Sequence, residues 1–121
     1  MLRVRNVGSS LRFYCEVLGC REERRIDALG LIQLRAGRAL IDLVPVDSPL
    51  GKAGGAAPGK EGRNVDHFAL RIQPFEAEAL GAWLRSQGVT PGEVAPRYGA
   101  GGTGPSMYLH DPDGNVVELK G

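Results

Sequence analysis

Asp42, His67 and Glu118 are the residues whose type and setting could do chemistry. Each interrupts an apolar run that reads as a strand: L-I-D-L at 40–43, D-H-F-A-L-R-I at 66–72 and V-V-E-L at 116–119. Side chains alternate faces with period two along a strand. Phe68, Leu70 and Ile72 then share one face, and His67, Ala69 and Arg71 the other. Ile41 and Leu43 oppose Asp42, and Val117 and Leu119 oppose Glu118. Near the start, Leu2 and Val4 oppose Arg3. If the apolar faces pack under helices and the sheets curve, His67, Asp42 and Glu118 are expected to face one cavity. One imidazole and two carboxylates suit a divalent metal of borderline or hard character. They suit general acid–base work equally well.

The elements that must position them can be read in order. Leu2 to Arg5 alternates as a half-buried strand does. Ser9 or Ser10 is the expected N-cap of a first helix. Leu11, Tyr14, Cys15 and Leu18 lie on one face of it, and Gly19 ends it. Phe13 and Tyr14 are expected in the core. Strands are expected at Cys20 to Asp27, Leu31 to Ala36 and Ala39 to Val46, with a turn at Gly37-Arg38. Asp47 to Asn64 is a long Gly- and Pro-rich loop. A strand over Val65 to Gln73 follows, then a helix over about Phe75 to Gln87 with Leu80, Trp83 and Leu84 inward. Val94 to Tyr98 is a further strand, Gly99 to Gly104 a flexible segment able to act as a lid. Ser106 to Gly121 closes the chain as a hairpin turning at D-P-D-G-N, 111–115. Tyr108 shares a face with Ser106 and His110, where it could line a pocket.

The order is β-α-β-β-β twice, an internal repeat. Leu2-Arg3-Val4 matches Leu70-Arg71-Ile72, and Leu40-Ile41-Asp42-Leu43 matches Val116-Val117-Glu118-Leu119. The expected class is α+β: one domain over 1–121, with module one at about 1–46, a loop at 47–64 and module two at about 65–121.

Composition narrows the function classes. With 15 Lys and Arg against 14 Asp and Glu, the net charge of +1 indicates neither a nucleic-acid footprint nor a membrane patch. No apolar run approaches the roughly 20 residues that cross a bilayer. Cys15 and Cys20, the only cysteines, lack metal-knuckle spacing and are expected as free thiols of a cytoplasmic protein. Two formal motifs are rejected. Gly99 to Gly104 spells G-x-G-x-x-G, but Pro105 and a strand follow where a dinucleotide site needs a helix. Gly54 to Lys60 spells G-x-x-x-x-G-K, but Glu61 replaces the magnesium-binding Ser or Thr.

Three stretches together resemble the vicinal oxygen chelate superfamily: M-L-R-V-R-N-V-G-S-S-L-R-F-Y-C-E-V-L-G, D-H-F-A-L-R-I and D-P-D-G-N-V-V-E-L. That superfamily includes glyoxalase I, extradiol dioxygenases, and bleomycin and fosfomycin resistance proteins. The resemblance covers nearly the whole chain. It implies two βαβββ modules forming open curved mixed sheets around a cavity, helices outside, commonly in a homodimer. It implies a divalent ion (Zn, Ni, Mn, Fe or Co) held by His67, Asp42 and Glu118, with Glu118 also moving a proton as an enediolate is stabilised. A fourth ligand is expected three residues before Leu2, a position ahead of Met1, so the ligand set is short by one and metal binding is expected to be weak or absent unless the chain starts upstream. Asp42 stands where glyoxalase I has Glu, a reach roughly 1.5 Å shorter. Arg3 and Arg63 resemble the arginines that bind glutathione carboxylates there, and Arg71 is a third candidate for the substrate. Val46 replaces the Asn that should accompany them. The implied activity is that of a glyoxalase-like metal-dependent lyase or isomerase on a small vicinal-oxygen substrate, a glutathione hemithioacetal among the candidates. A non-catalytic sequestration protein of the bleomycin-resistance type is the alternative, and an extradiol-like dioxygenase the third.

Overall fold

A computed structural model describes the whole chain, Met1–Gly121, as two compact units, each built around a four-stranded mixed sheet. Unit one comprises Met1–Asn64 with Pro112–Gly114; unit two comprises Val65–Asp111 with Asn115–Gly121. The expected α+β architecture of two βαβββ modules is present.

In unit one, β1 (Leu2–Val4) leads into α1 (Val7–Leu11), which continues as a π-helical stretch over Arg12–Val17. Strands β2 (Arg21–Ile26), β3 (Leu31–Ala36) and β4 (Ala39–Pro45) follow, and the sheet order is β1-β4-β3-β2. The cap of α1 is Asn6 rather than either serine: its side chain accepts from Ser9 N at 2.9 Å. Ser10 is instead buried, its Oγ donating to Asn6 O. The π winding puts Leu18 N on Phe13 O. The buried stripe runs through Ser10, Phe13, Tyr14 and Val17, whereas Leu11, Cys15 and Leu18 are half-exposed. These rings pack with Leu2, Val4, Ile32, Leu34, Ile41 and Leu43, all buried. Full burial of such side chains stabilises by roughly 1.5–3 kcal/mol each.

The loop after β4 carries one short helix, α2 (Pro49–Lys52), capped by Ser48 accepting from Gly51 N. Gly51 is there because its α-carbon lies against β4: a Cβ would stand 1.9 Å from Pro45 O.

In unit two the order is β5 (His67–Arg71), α3 (Ala77–Ser86), β6 (Ala95–Gly99), β7 (Gly102–His110) and β8 (Val116–Lys120), with sheet order β5-β8-β7-β6. Its core is Leu84, Met107, Leu109, Val117 and Leu119. Trp83, expected inward, is 47% exposed. The buried stripe of α3 is set by Gly81 and Leu84, and Trp83 lies about 100° round the helix from Leu84. The Gly99 to Gly104 stretch is a tight hairpin, not a loose lid. Gly99 pairs with Gly102, leaving Ala100-Gly101 as the turn.

The repeat seen in the sequence is reproduced in the registers. The parallel pair β1–β4 sets Leu2 against Leu43, and the parallel pair β5–β8 sets Leu70 against Leu119. Asp42 and Glu118 therefore occupy equivalent places in the two sheets, as do Arg3 and Arg71. The turn 111–115 is built as its residues dictate: Asp111 accepts from Asn115 N and Nδ2, both at 2.8 Å, and Gly114 takes φ 82°.

Candidate active site

Pairing registers define what shares the site face of unit two. Ala69 lies opposite Glu118, and Glu118 opposite Tyr108. One step along, His67, Val116 and His110 line up; a step the other way, Arg71, Lys120 and Ser106. Phe68, Leu70, Val117 and Leu119 take the reverse face, as the alternation predicts. The structure thus brings His67, Glu118, Arg71 and Tyr108 onto one surface.

Glu118 is the unusual member. It is only 7% exposed, and its Oε1 is buried with no hydrogen-bond partner. An unmade hydrogen bond on a buried polar atom costs about 1–3 kcal/mol, so the fold bears this for a reason outside packing. Two rings meet on the same face. His67 on β5 and Tyr108 on β7 make an edge-to-face contact, centroids 5.7 Å apart. Strand β8 lies between those strands, so the rings meet across the face that carries Glu118. Tyr108 is held in turn by Arg97, whose guanidinium carbon sits 4.4 Å from the ring centroid. Arg97 also donates to Ser106 O and Oγ.

His67 Nδ1 meets Asp66 Oδ1 at 2.6 Å. A carboxylate on Nδ1 orients an imidazole so that Nε2 can ligate or exchange a proton. For a divalent ion, His67 and Glu118 are suitable donors: an oriented imidazole and a buried oxygen lacking a partner. Within neither unit does a group of three or more His, Cys, Asp or Glu gather to complete a ligand set.

Beside Glu118 a cavity of about 320 Å³ opens within unit two. Its lining includes Ala69, Arg71, Glu118 and Lys120, with Gly99, Ala100 and Gly101 of the hairpin at its edge. Sequence reading named Arg71 and Glu118 but missed Lys120 and Arg97. Lys120 was reachable, since it lies two residues beyond Glu118 and so on its face. Arg97 was not, because its place depends on how β6 pairs with β7.

In unit one, Asp42 lies on the face opposite the core, half-buried, and accepts from Gln33 Nε2 at 3.0 Å. Arg3 shares that face and donates to Gly55 O. Arg63 is exposed in the loop. His110 shares the site face of unit two but is exposed at the turn mouth.

A family model for the Glyoxalase/Bleomycin resistance protein/Dioxygenase superfamily matches residues 1–119, and the chain belongs to that superfamily, the vicinal oxygen chelate group. Catechol-2,3-dioxygenase of Bacillus subtilis (strain 168) is 27% identical over 119 residues, which are 98% of this chain and 38% of the relative. The chain therefore spans well under half the length of that curated relative. A solved integron cassette protein from the mobile metagenome of V. cholerae is 28% identical with a TM-score of 0.72, covering 98% of this chain and 88% of that one. The fosfomycin resistance protein FosX from Listeria monocytogenes shares the fold at 20% identity, with a TM-score of 0.73, over 98% and 84% of the two chains.

Proposed function

We propose that this protein is a glyoxalase-like, metal-dependent lyase or isomerase acting on a small substrate with adjacent oxygens. The observation that carries the reading is Glu118: a buried carboxylate oxygen without a partner, on the face that also holds an oriented His67. His67 and Glu118 would be the donors of unit two to a divalent ion, and Asp42 is the proposed donor at the equivalent place of unit one. Bound there, the ion supplies Lewis-acid polarisation of the substrate's oxygens. Glu118 takes and returns the proton next to the carbonyl, the role its unpartnered oxygen suits. Tyr108 and His67, in edge-to-face contact on the same face, are the aromatic neighbours of that site. Arg71 is the proposed substrate contact of unit two, and Arg3 and Arg63 are those of unit one, a glutathione hemithioacetal being one substrate of this kind. A homodimer in the cytoplasm belongs to the same proposal. The exposed Tyr98 on the β6 edge and the two free cysteines support it.

The second reading is a non-catalytic protein that sequesters a small molecule. It is favoured by the absence of a third donor beside His67 and Glu118 within unit two. An extradiol dioxygenase ranks third. It draws on the Bacillus relative, but its two-histidine, one-carboxylate set has only exposed His110 to add to His67.

Titration of the full chain with Ni²⁺ or Zn²⁺ by calorimetry tests the first reading. Saturable binding of one ion per chain is expected, weakened at least tenfold by His67→Ala and by Glu118→Gln. Failure of either ion to bind, or equal binding by both variants, overturns it.

A further inference from the structure

We propose that the cavity of unit two is an acid-recognition pocket, taking a small 2-hydroxy carboxylate whose anionic end docks on Lys120 and Arg71 and whose hydroxyl donates to Glu118. The starting observation is a second unbalanced group. Lys120 is 8% exposed, yet its Nζ donates only to backbone carbonyls, those of Arg97 and Gly104. No carboxylate pairs with it, although Glu118 shares its strand face two residues away. A buried ammonium normally has a counter-charge. Here two carbonyls take two of its three donors, and one is left over.

The neighbourhood is shaped around this side chain. A Cβ on Gly99 would stand 2.8 Å from Lys120 Cε. Lys120 therefore runs along the hairpin glycines, which leave room for its stem. Arg71, directly opposite Lys120 on β5, makes no ion pair and is exposed at the cavity. Arg71 and Lys120 spring from paired positions on adjacent strands, whose backbones lie about 4.8 Å apart, and both line the cavity, so a guanidinium and an ammonium flank it as a fork and a point charge for a carboxylate. Glu118 lines the same cavity, and its carboxylate calls for a donor, not an anion. One ligand meets both demands when it carries a hydroxyl beside a carboxylate. The cavity of about 320 Å³ is at the small end of ligand pockets.

The inference shares Glu118 with the function proposed above but needs no ion, so its test is made with chelator present and fails separately from metal binding. Mandelate is added to the full ¹⁵N-labelled protein, with phenylacetate (no hydroxyl) and mandelamide (no charge) as comparators. Amide shifts are followed across Gly99–Gly104 and Val116–Lys120. Mandelate is expected to bind saturably, phenylacetate about tenfold more weakly, and mandelamide more weakly still. Lys120→Gln and Arg71→Gln are each expected to lower mandelate affinity at least fivefold. Because Lys120→Gln disturbs a buried site, exposed Arg71→Gln is the variant that keeps the test decisive. Equal shifts from mandelate and mandelamide, or unchanged affinity in Arg71→Gln, overturn the proposal.

Discussion

Replacing Glu118 by methionine is expected to raise stability while destroying function. Glu118 is 7% exposed, and its Oε1 has no partner. Leaving such an atom unsatisfied costs about 1–3 kcal/mol in the native protein. Methionine is unbranched, reaches about as far, and carries no group that needs a hydrogen bond. Imperfect repacking after a swap of similar volume costs less than about 1.5 kcal/mol. The difference is a net gain of about 1 kcal/mol, opposite in sign to the average substitution. For a chain of 121 residues that gain raises Tm by about 3–5 °C. Urea unfolding with chelator present measures it: the midpoint should rise with an unchanged slope. The same variant should bind neither Ni²⁺ nor Zn²⁺. A midpoint that falls would mean that Glu118 holds the sheet together, and the inference that the fold carries this carboxylate for chemistry would be lost.

Two further outcomes concern packing and titration. Leu84→Ala removes a side chain with 0% exposure and is expected to cost about 2–5 kcal/mol, and Leu84→Ser, which adds a buried hydroxyl, should cost more still, as paired denaturation curves will show. Burial first, and the neighbouring Cys15 second, push the Cys20 thiol up to about 11 from its ordinary 9.0. The folded state then keeps a proton that the unfolded chain releases, so stability is untouched below pH 9 and falls as pH rises from 9 towards 11. The denaturant midpoint followed against pH should show that decline, and Cys20→Ala should lessen it, the Cys15 thiol, also pushed up by burial, keeping the remainder.

Much was legible in the chain because alternation and repetition are local properties. Period two alone places Glu118 away from Val117 and Leu119, and the match of L-I-D-L with V-V-E-L gives Asp42 the equivalent place. Both follow from backbone geometry and hold wherever the strands end up. The turn at 111–115 was equally readable, since Asp, Gly and Asn carry their turn chemistry with them. Other features were not local. Asn6, not Ser9 or Ser10, caps α1, and Ser10 is buried with its Oγ on Asn6 O. The π winding over 12–17 was not announced by any local signal, although Phe13 and Tyr14 lie in the core as expected. Trp83 was left outside because the stripe of α3 is set by what it packs on.

The candidate site divides in the same way. Sequence by itself determined the superfamily, the two modules, and the strand faces on which Asp42, His67 and Glu118 stand. Tertiary structure decided how isolated Glu118 is and what surrounds it. Two rings from strands on either side meet across β8, Arg97 steadies one of them, and Lys120 lies buried without a counter-charge. Those facts depend on which strands are neighbours and in what register. They come from hydrogen bonding between residues far apart in the chain, which composition and spacing do not encode.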